Sequence, residues 1–418
     1  MLALGLLWGA YLVQLASPLR TNTDATQFLD LAASASDGAG FVVDGKPSHF
    51  PPGYPLVLAA LDRAGLACSA SFIGLNLLAL AVGLVATAYI LHRSLGFGTL
   101  ALLGIANLTM LCWVLIKHVT LPLSDIPYFG LAQACVALLT WAIDQPRNQR
   151  IAGLGLAILV ALAAISVRTV GISLLPAIVF ASLPIGLVER CGELARRRRA
   201  GGVGIALALI GGAVIACPLI VRTQYFANFL AAWFETYGLD DLAGAKLSDW
   251  GELVVNTSAA KLPASLRGGV AAAGLLVPIL LVLGARQRRR LAPVDVYTAS
   301  YLAILLVWPY QDARFWIPLF PVFLGYAWLA LARFTEYRVV RWAGLTYLTA
   351  FSLLGVVALA YSSWISLAHD RFPERFAGGV YGGSYHAAWS PKATPVNQHA
   401  RVDPQIVRLV QRYSRPIR

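Results

Sequence analysis

Apolar and polar positions alternate along this chain in long blocks. Uninterrupted apolar runs of roughly 17 to 22 residues recur from end to end, each long enough to cross about 30 Å of hydrocarbon. They predict helices over 1–17, 70–91, 98–116, 126–143, 151–166, 170–188, 201–221, 268–284, 295–308, 316–333 and 343–364, about eleven in all. Barrel strands would alternate residue by residue and would not give such runs. The expected fold class is therefore all-α: a polytopic helical membrane protein with extra helices lying at its outer face. The 151–188 region is the ambiguous one, because Arg168 and Thr169 alone separate two apolar runs.

Composition agrees with that pattern. Apolar residues make up 58% of the chain, charged residues 13%, and the mean hydropathy is +0.68; a soluble domain carries about a quarter charged residues. The net charge of +13 invites a nucleic-acid reading. Its distribution rejects one. His92-Arg93, Arg147 and Arg150, Arg190 with Arg196 to Arg199, Arg286 with Arg288 to Arg290, and Arg333, Arg338 and Arg341 all sit in short loops on one side. There they set topology and meet anionic lipid, which makes that side cytoplasmic, with the N-terminus on it. The 5 cysteines are scattered, with no metal-type spacing, and read as structural thiols. The first run lacks a basic leader and reads as an anchoring helix.

Everything else polar falls on the opposite, extracytoplasmic side: loops 18–69, 117–125, 222–267 and 308–316, and a tail from 365 to 418. Residues 1–364 then form the transmembrane module and 365–418 an extracytoplasmic tail. Within 222–267, aromatic residues at helical spacing (Tyr225, Phe226, Phe229, Trp233, Phe234, Tyr237) predict an amphipathic helix lying on the membrane surface. The tail ends in a short helical pattern near PQIVRLVQRYS, which reads equally as a cap on the outer face or as an appendage.

Several outer-face residues could carry chemistry. Asp24 lies just beyond the first helix, where a carboxylate needs water or a partner. It reads either as a general base or as a helix cap within TNTDATQF. Asp125, flanked by Pro122 and Pro127, either shares a site with Asp24 or caps the helix that follows. Lys117 and His118 precede it. His49, before Pro51-Pro52, is a phosphate or sugar contact or a surface histidine, with Lys46 as an alternative cation. Arg168, Arg222 and Arg314 suit a lipid phosphate; the open alternatives are headgroup contact for Arg168 and pairing with Asp312 for Arg314. Tyr54, Tyr310, Asp312 and His118 are candidate substrate contacts. Asp30, Asp37 and Asp44 read as solvated loop residues. No Gly-rich phosphate loop and no nucleotide-binding signature appears, which points to a substrate already in the membrane.

In order, the chain presents an acid in TDATQFLDLA, then HFPPGYP at the next helix, LPLSDIPYF, SVRTVGISLLP and DARFWIPLFP. Over roughly residues 1–335 this resembles the GT-C superfamily of integral-membrane glycosyltransferases. It is similar to the branch that includes protein O-mannosyltransferases and the lipid A aminoarabinose transferase. The resemblance implies a polyprenyl-phosphate-linked sugar as donor, a lipid, glycan or protein hydroxyl as acceptor, and inversion at the anomeric carbon. Asp24 matches the first-loop acid that acts as base and Asp125 the second-loop acid. Arg168 matches the arginine before a Gly-x-x-x-x-Pro helix, and Arg314 the arginine of the late R-[FY]-x-x-P motif. Where relatives often have a lysine before the paired prolines, this chain has Phe50, leaving His49 or Lys46 to substitute, with Lys117 a separate candidate for the phosphate. A single Asp24 without a following acid fits the metal-independent members, so neither metal nor cofactor is expected. The expected location is a bacterial inner membrane; in a eukaryote the outer face would be lumenal.

Two other readings remain. A lipid-diphosphate-linked glycan ligase or polymerase would lean on outer-loop arginines and histidine with less need of Asp24. A lipid or solute transporter would move its substrate unchanged; the lopsided loops and the absence of an internal repeat argue against it.

Overall fold

The computed structural model describes residues 2–43, 46–48, 50–184, 238–288, 290–308, 310–367, 384, 387–388 and 402–414. The expected helix 201–221 and the aromatic segment 222–237 lie outside the described residues, as do His49 and Arg222.

Helix α1 (Leu2–Val13) runs into a 3₁₀ turn, Gln14–Ala16. Two helices follow, α2 (Thr23–Ser36) and α3 (Gly53–Arg63), joined through a two-residue antiparallel ribbon, Val42–Val43 with Lys46–Pro47. Then come α4 (Ser69–Leu95), α5 (Thr99–Met110), α6 (Trp113–Val119), α7 (Asp125–Ile143), α8 (Arg147–Val167) and α9 (Leu175–Ser182). The second half holds α10 (Leu239–Val255), α11 (Ala264–Gly274), α12 (Leu276–Ala285), α13 (Pro293–Leu306), α14 (Phe320–Ala332), α15 (Arg338–Leu367) and α16 (Pro404–Tyr413).

Among the described residues, 5 helices are long and apolar enough to cross a membrane: α4, α7, α8, the run Ala264–Ala285 and α15. The pair α5 and α6, bent by 61° at Leu111-Cys112, is long and apolar enough for a sixth span if the two are taken together. Four shorter apolar helices stand at other expected positions: Leu2–Ala16, Thr169–Ser182, Pro293–Leu306 and Phe320–Ala332. The chain is an integral membrane protein. Its lipid-facing surface is most evident on α15, where Val339, Trp342, Leu353 and Val357 are exposed; in hydrocarbon such a face needs no cover.

The described part of 170–188 departs from a simple span. It is a 3₁₀ turn, Thr169–Leu174, followed by the short α9. Arg168 takes an extended backbone that ends α8. The turn then folds back so closely that a Cβ on Gly171 would stand 2.8 Å from the Ile165 nitrogen.

Small residues let the helices approach one another. A Cβ on Gly130 of α7 would come within 2.6 Å of the Ala79 carbonyl on α4. Between them α4 and α7 form the most extensive helix pair, and its upper end fixes the loop before Asp125. There the buried Asn76 amide donates to the Val119 and Leu121 carbonyls, both at 2.8 Å. Asn256, in the left-handed region at φ 56°, ties the α5–α6 break to α10 and α15. It accepts from Trp113 N (2.7 Å) and donates to the Leu111 and Phe351 carbonyls. The Asn256-Thr257-Ser258 sequon is thus built into the core.

The tail helix α16 docks on α2 and α3. Ile406, Leu409, Val410 and Tyr413 are buried, and the Tyr413 ring meets Phe72 edge-on at 5.7 Å. Arg412 binds Asp37 (3.0 Å) and Asp62 (2.5 Å), and Arg408 lies 3.6 Å from Asp30. Asp30, read from the sequence as a solvated loop residue, instead lies within α2, largely buried beside Arg408, while Asp37, just past the end of α2, stays exposed and pairs with Arg412. The Arg412 hydrogen bond is the first cause holding the Asp37 carboxyl below its usual range.

Candidate functional site

The site lies where the starts of α2 and α7, the end of α8 and the turn before α14 meet at one face. Local chemistry explains why Asp24 points into it. The N-cap of α2 is Asn22, whose side chain accepts from Ala25 N at 2.8 Å. Capping is therefore already provided, and Asp24, in the first turn, extends its carboxylate to Arg314 Nη2. Asp24 remains 35% exposed. At α7 the N-cap residue Ser124 makes no side-chain capping bond, and Asp125, in the favourable first turn, accepts from Arg168 Nη1. Its side chain is only 2% exposed.

Arg314 is the hub. It bonds Asp24, lies 3.1 Å through Nε from Asp312, and stands 4.0 Å through Nη1 from Asp125. Asp312 caps the 3₁₀ turn Ala313–Trp316 by accepting from Arg314 N (3.0 Å). The Arg314 and Arg168 guanidiniums lie over the same ring, that of Phe315, at 5.1 and 5.3 Å. Tyr301 OH donates to the Phe315 carbonyl and Gln133 Nε2 to the Pro318 carbonyl, both at 2.7 Å. Burial opposes the charge on Arg314, but Asp125, Asp312 and Asp24 outweigh it and raise its pKa further. Burial likewise works against ionised Asp312, and His118 with Arg314 outweighs it, holding that carboxyl below its usual range.

Around this hub are buried polar atoms without a hydrogen-bond partner among the described residues: Tyr54 OH, His118 Nε2 and Arg314 Nη1. Buried polar groups are normally satisfied, so a cluster of orphans beside a partly exposed carboxylate marks a place built for a polar ligand. The His118 tautomer follows from its partner. Its Nδ1 lies 2.6 Å from the Val114 carbonyl, which can only accept, so Nδ1 donates and Nε2 is left as an acceptor. Tyr54 is 1% exposed and lies in the field of Asp125. It is brought there because α3 starts hard against α8, where a Cβ on Gly53 would fall 2.6 Å from the Ser166 carbonyl oxygen. Lys117 is exposed at the rim, its ammonium 5.7 Å over the Trp113 ring. Tyr310 packs beside Trp308, ring centroids 6.2 Å apart.

Asp24, Asp125, Arg168, Arg314, Asp312, His118 and Tyr54 thus converge. Phe50, just before the paired prolines, packs on Phe28 at 5.1 Å, and Phe28 on Tyr54 at 5.3 Å. That position serves to lock α2 on α3.

Lys246, Asp249 and Glu252 of α10 had no place in the sequence reading. Lys246 Nζ donates to the Tyr310 carbonyl (2.8 Å), and Asp249 Oδ2 accepts from Trp316 Nε1 (3.4 Å). The available signal was their spacing, i, i+3 and i+6, on the stripe that also carries the buried Leu242, Ala245 and Leu253.

No family model and no curated protein matches the sequence. The architecture defines the class: among the described residues it is a helical membrane protein, broken only by one short ribbon, with the paired acids at the starts of α2 and α7. The chain is similar in fold to a solved protein, ArnT from Cupriavidus metallidurans, whose crystal structure is bound to undecaprenyl phosphate. The TM-score is 0.53 at 14% identity, covering 99% of this chain and 84% of that one. At that identity the likeness establishes the fold, as expected from the sequence motifs.

Proposed function

We propose that the chain is an inverting glycosyltransferase that takes a sugar from a polyprenyl-phosphate donor and passes it to an acceptor hydroxyl on the extracytoplasmic face of a bacterial inner membrane. The observation that carries the reading is the Asp24–Arg314 pair: a partly exposed carboxylate bonded to a buried guanidinium that keeps further N–H groups unbonded among the described residues. The undecaprenyl phosphate bound to ArnT supports the choice of donor class.

In this mechanism Asp24 takes the proton of the acceptor hydroxyl. The freed oxygen attacks the anomeric carbon from the side opposite the phosphate. The bond from that carbon to the phosphate oxygen breaks, and its electron pair leaves with the polyprenyl phosphate. Arg314 and Arg168 stabilise the charge that develops there, in a site where water is scarce. Asp125 holds Arg168, and Asp312 holds Arg314. Tyr54 and His118 offer one donor and one acceptor to sugar hydroxyls. Lys117, with His49 and Arg222, would assist at the phosphate, and Tyr310 at the sugar.

The test is carrier release. Purified protein in nanodiscs is mixed with a panel of polyprenyl-phosphate sugars and a crude membrane extract, and free polyprenyl phosphate is followed by mass spectrometry. We expect release from one donor, lost in Asp24→Asn. If no monophosphate donor is consumed, or if Asp24→Asn turns over normally, the reading fails.

A further inference from the structure

The turn that carries Asp312 and Arg314 is gripped at both ends by one helix. At its entry, Lys246 of α10 donates to the Tyr310 carbonyl (2.8 Å). At its exit, Asp249 accepts from the Trp316 indole (3.4 Å), and Trp250 packs edge-on against the same indole at 5.1 Å. Lys246 is 3% exposed and Asp249 6%. Burying a cation and a carboxylate is costly, and apolar side chains of similar volume would seal this face with less penalty. Moreover, among the described residues the Asp249 carboxylate has no cation within 4 Å and only that long indole hydrogen bond. The charges are retained at a cost in stability, which is expected where positioning matters more than packing.

Resting on the transferase reading above, we propose that Lys246 and Asp249 are positioning residues that pin the entry and exit of the 310–316 turn. They thereby fix the Arg314 guanidinium where the leaving phosphate develops its charge.

The electrostatics of the pair agree with the geometry. Burial pushes the Asp249 carboxyl up to about 7, Lys246 and Trp316 draw it down, and Asp312 and Glu252 add to the rise. Burial pushes the Lys246 ammonium down to about 8, opposed by Asp249. The charged groups around Asp249 are therefore Lys246 and Glu252 on its own helix and Asp312 on the turn. An ionised carboxylate accepts the indole hydrogen bond more strongly than a neutral acid does. The exit pin therefore weakens as pH falls through about 7.

The experiment uses the full chain in nanodiscs with two readouts. Hydrogen–deuterium exchange follows the peptide spanning 308–318, with an α4 peptide as internal control for folding. Carrier release is measured from about pH 5.5 to 8.5. We expect Lys246→Met and Asp249→Ala to speed exchange in the 308–318 peptide alone and to lower kcat by roughly 10- to 100-fold. Donor KM should move by less than about threefold. Lys246→Arg should recover most of the activity. Wild type should show an acid limb near pH 7, and Asp249→Asn should lack it, staying at the wild type's low-pH level. Unchanged exchange in both variants overturns the pinning. Faster exchange with unaltered kcat and pH profile overturns the positioning role. Should wild type consume no donor, the transferase reading fails on that result, while the exchange data still decide whether the turn is pinned.

Discussion

Replacing Arg314 with methionine removes the hub and leaves Asp24, Asp125 and Asp312 facing one another with Arg168 as the remaining site arginine. The structure allows the cost to be worked. Two unit charges at 4 Å interact by about 4 kcal/mol at an effective dielectric of 20, and Arg314 has three such neighbours within 4.0 Å. The Asp24 contribution is screened because that carboxylate is about one-third exposed. Asp312, 34% exposed, is screened in the same way; the buried Asp125 carries most of the effect, and breaking a buried pair by removing one partner costs about 3–5 kcal/mol. Arg314→Met should therefore lower the apparent Tm well beyond an ordinary surface change and cut carrier release by at least about 10²-fold. Arg314→Lys should recover part of the stability and little of the activity, since a point charge cannot reach Asp24 and Asp312 together as the fork does. The decisive comparison is the cycle Arg314→Met, Asp125→Asn and the double variant, melted in one detergent. Neutralising the stranded acid should restore about 1–3 kcal/mol relative to the sum of the single effects. Strict additivity, or an Arg314→Met protein that melts with the wild type, would refute the hub.

Gly53→Ala should destabilise and lower activity together, because its Cβ would collide with the Ser166 backbone and push α3, with Tyr54, away from α8; thermal melting and carrier release on the same sample check this. Asp249→Asn should stabilise the protein at high pH. Its folded pKa, raised to about 7, means that proton binding stabilises the fold fully below the unfolded value of 3.8 and that this contribution is lost as pH rises through about 7. The gap between wild type and variant should open by up to about 4 kcal/mol between pH 4 and 8.5, read as a difference in melting at the two pH values; equal melting at both rejects the buried, unsupported acid. Chelation with EDTA should leave carrier release unchanged, and a loss restored by a divalent cation would overturn the metal-independent mechanism.

What the sequence by itself determined was the membrane class and most helix positions, and it singled out the acids of the candidate site. Each rests on a local signal. Apolar runs report helices because lipid demands an internally bonded backbone, and an acid next to such a run stands out because its burial is costly. Local chemistry left the roles of Asp24 and Asp125 open between cap and site. The structure assigned capping of α2 to Asn22, and both carboxylates turn toward arginines far away in the chain. Only tertiary packing could decide that Arg314, 290 residues from Asp24, is the group that gathers the acids. It alone turned 170–188 from a simple span into a turn and a short helix, because Gly171 folds back on α8. It alone brought the tail helix onto Asp37 and Asp62. And it alone gave Lys246 and Asp249 a purpose, since their partners are a carbonyl and an indole on another element. Hydrophobic patterning fixes which segments are buried; the pairing of charges across distant segments depends on how those segments pack.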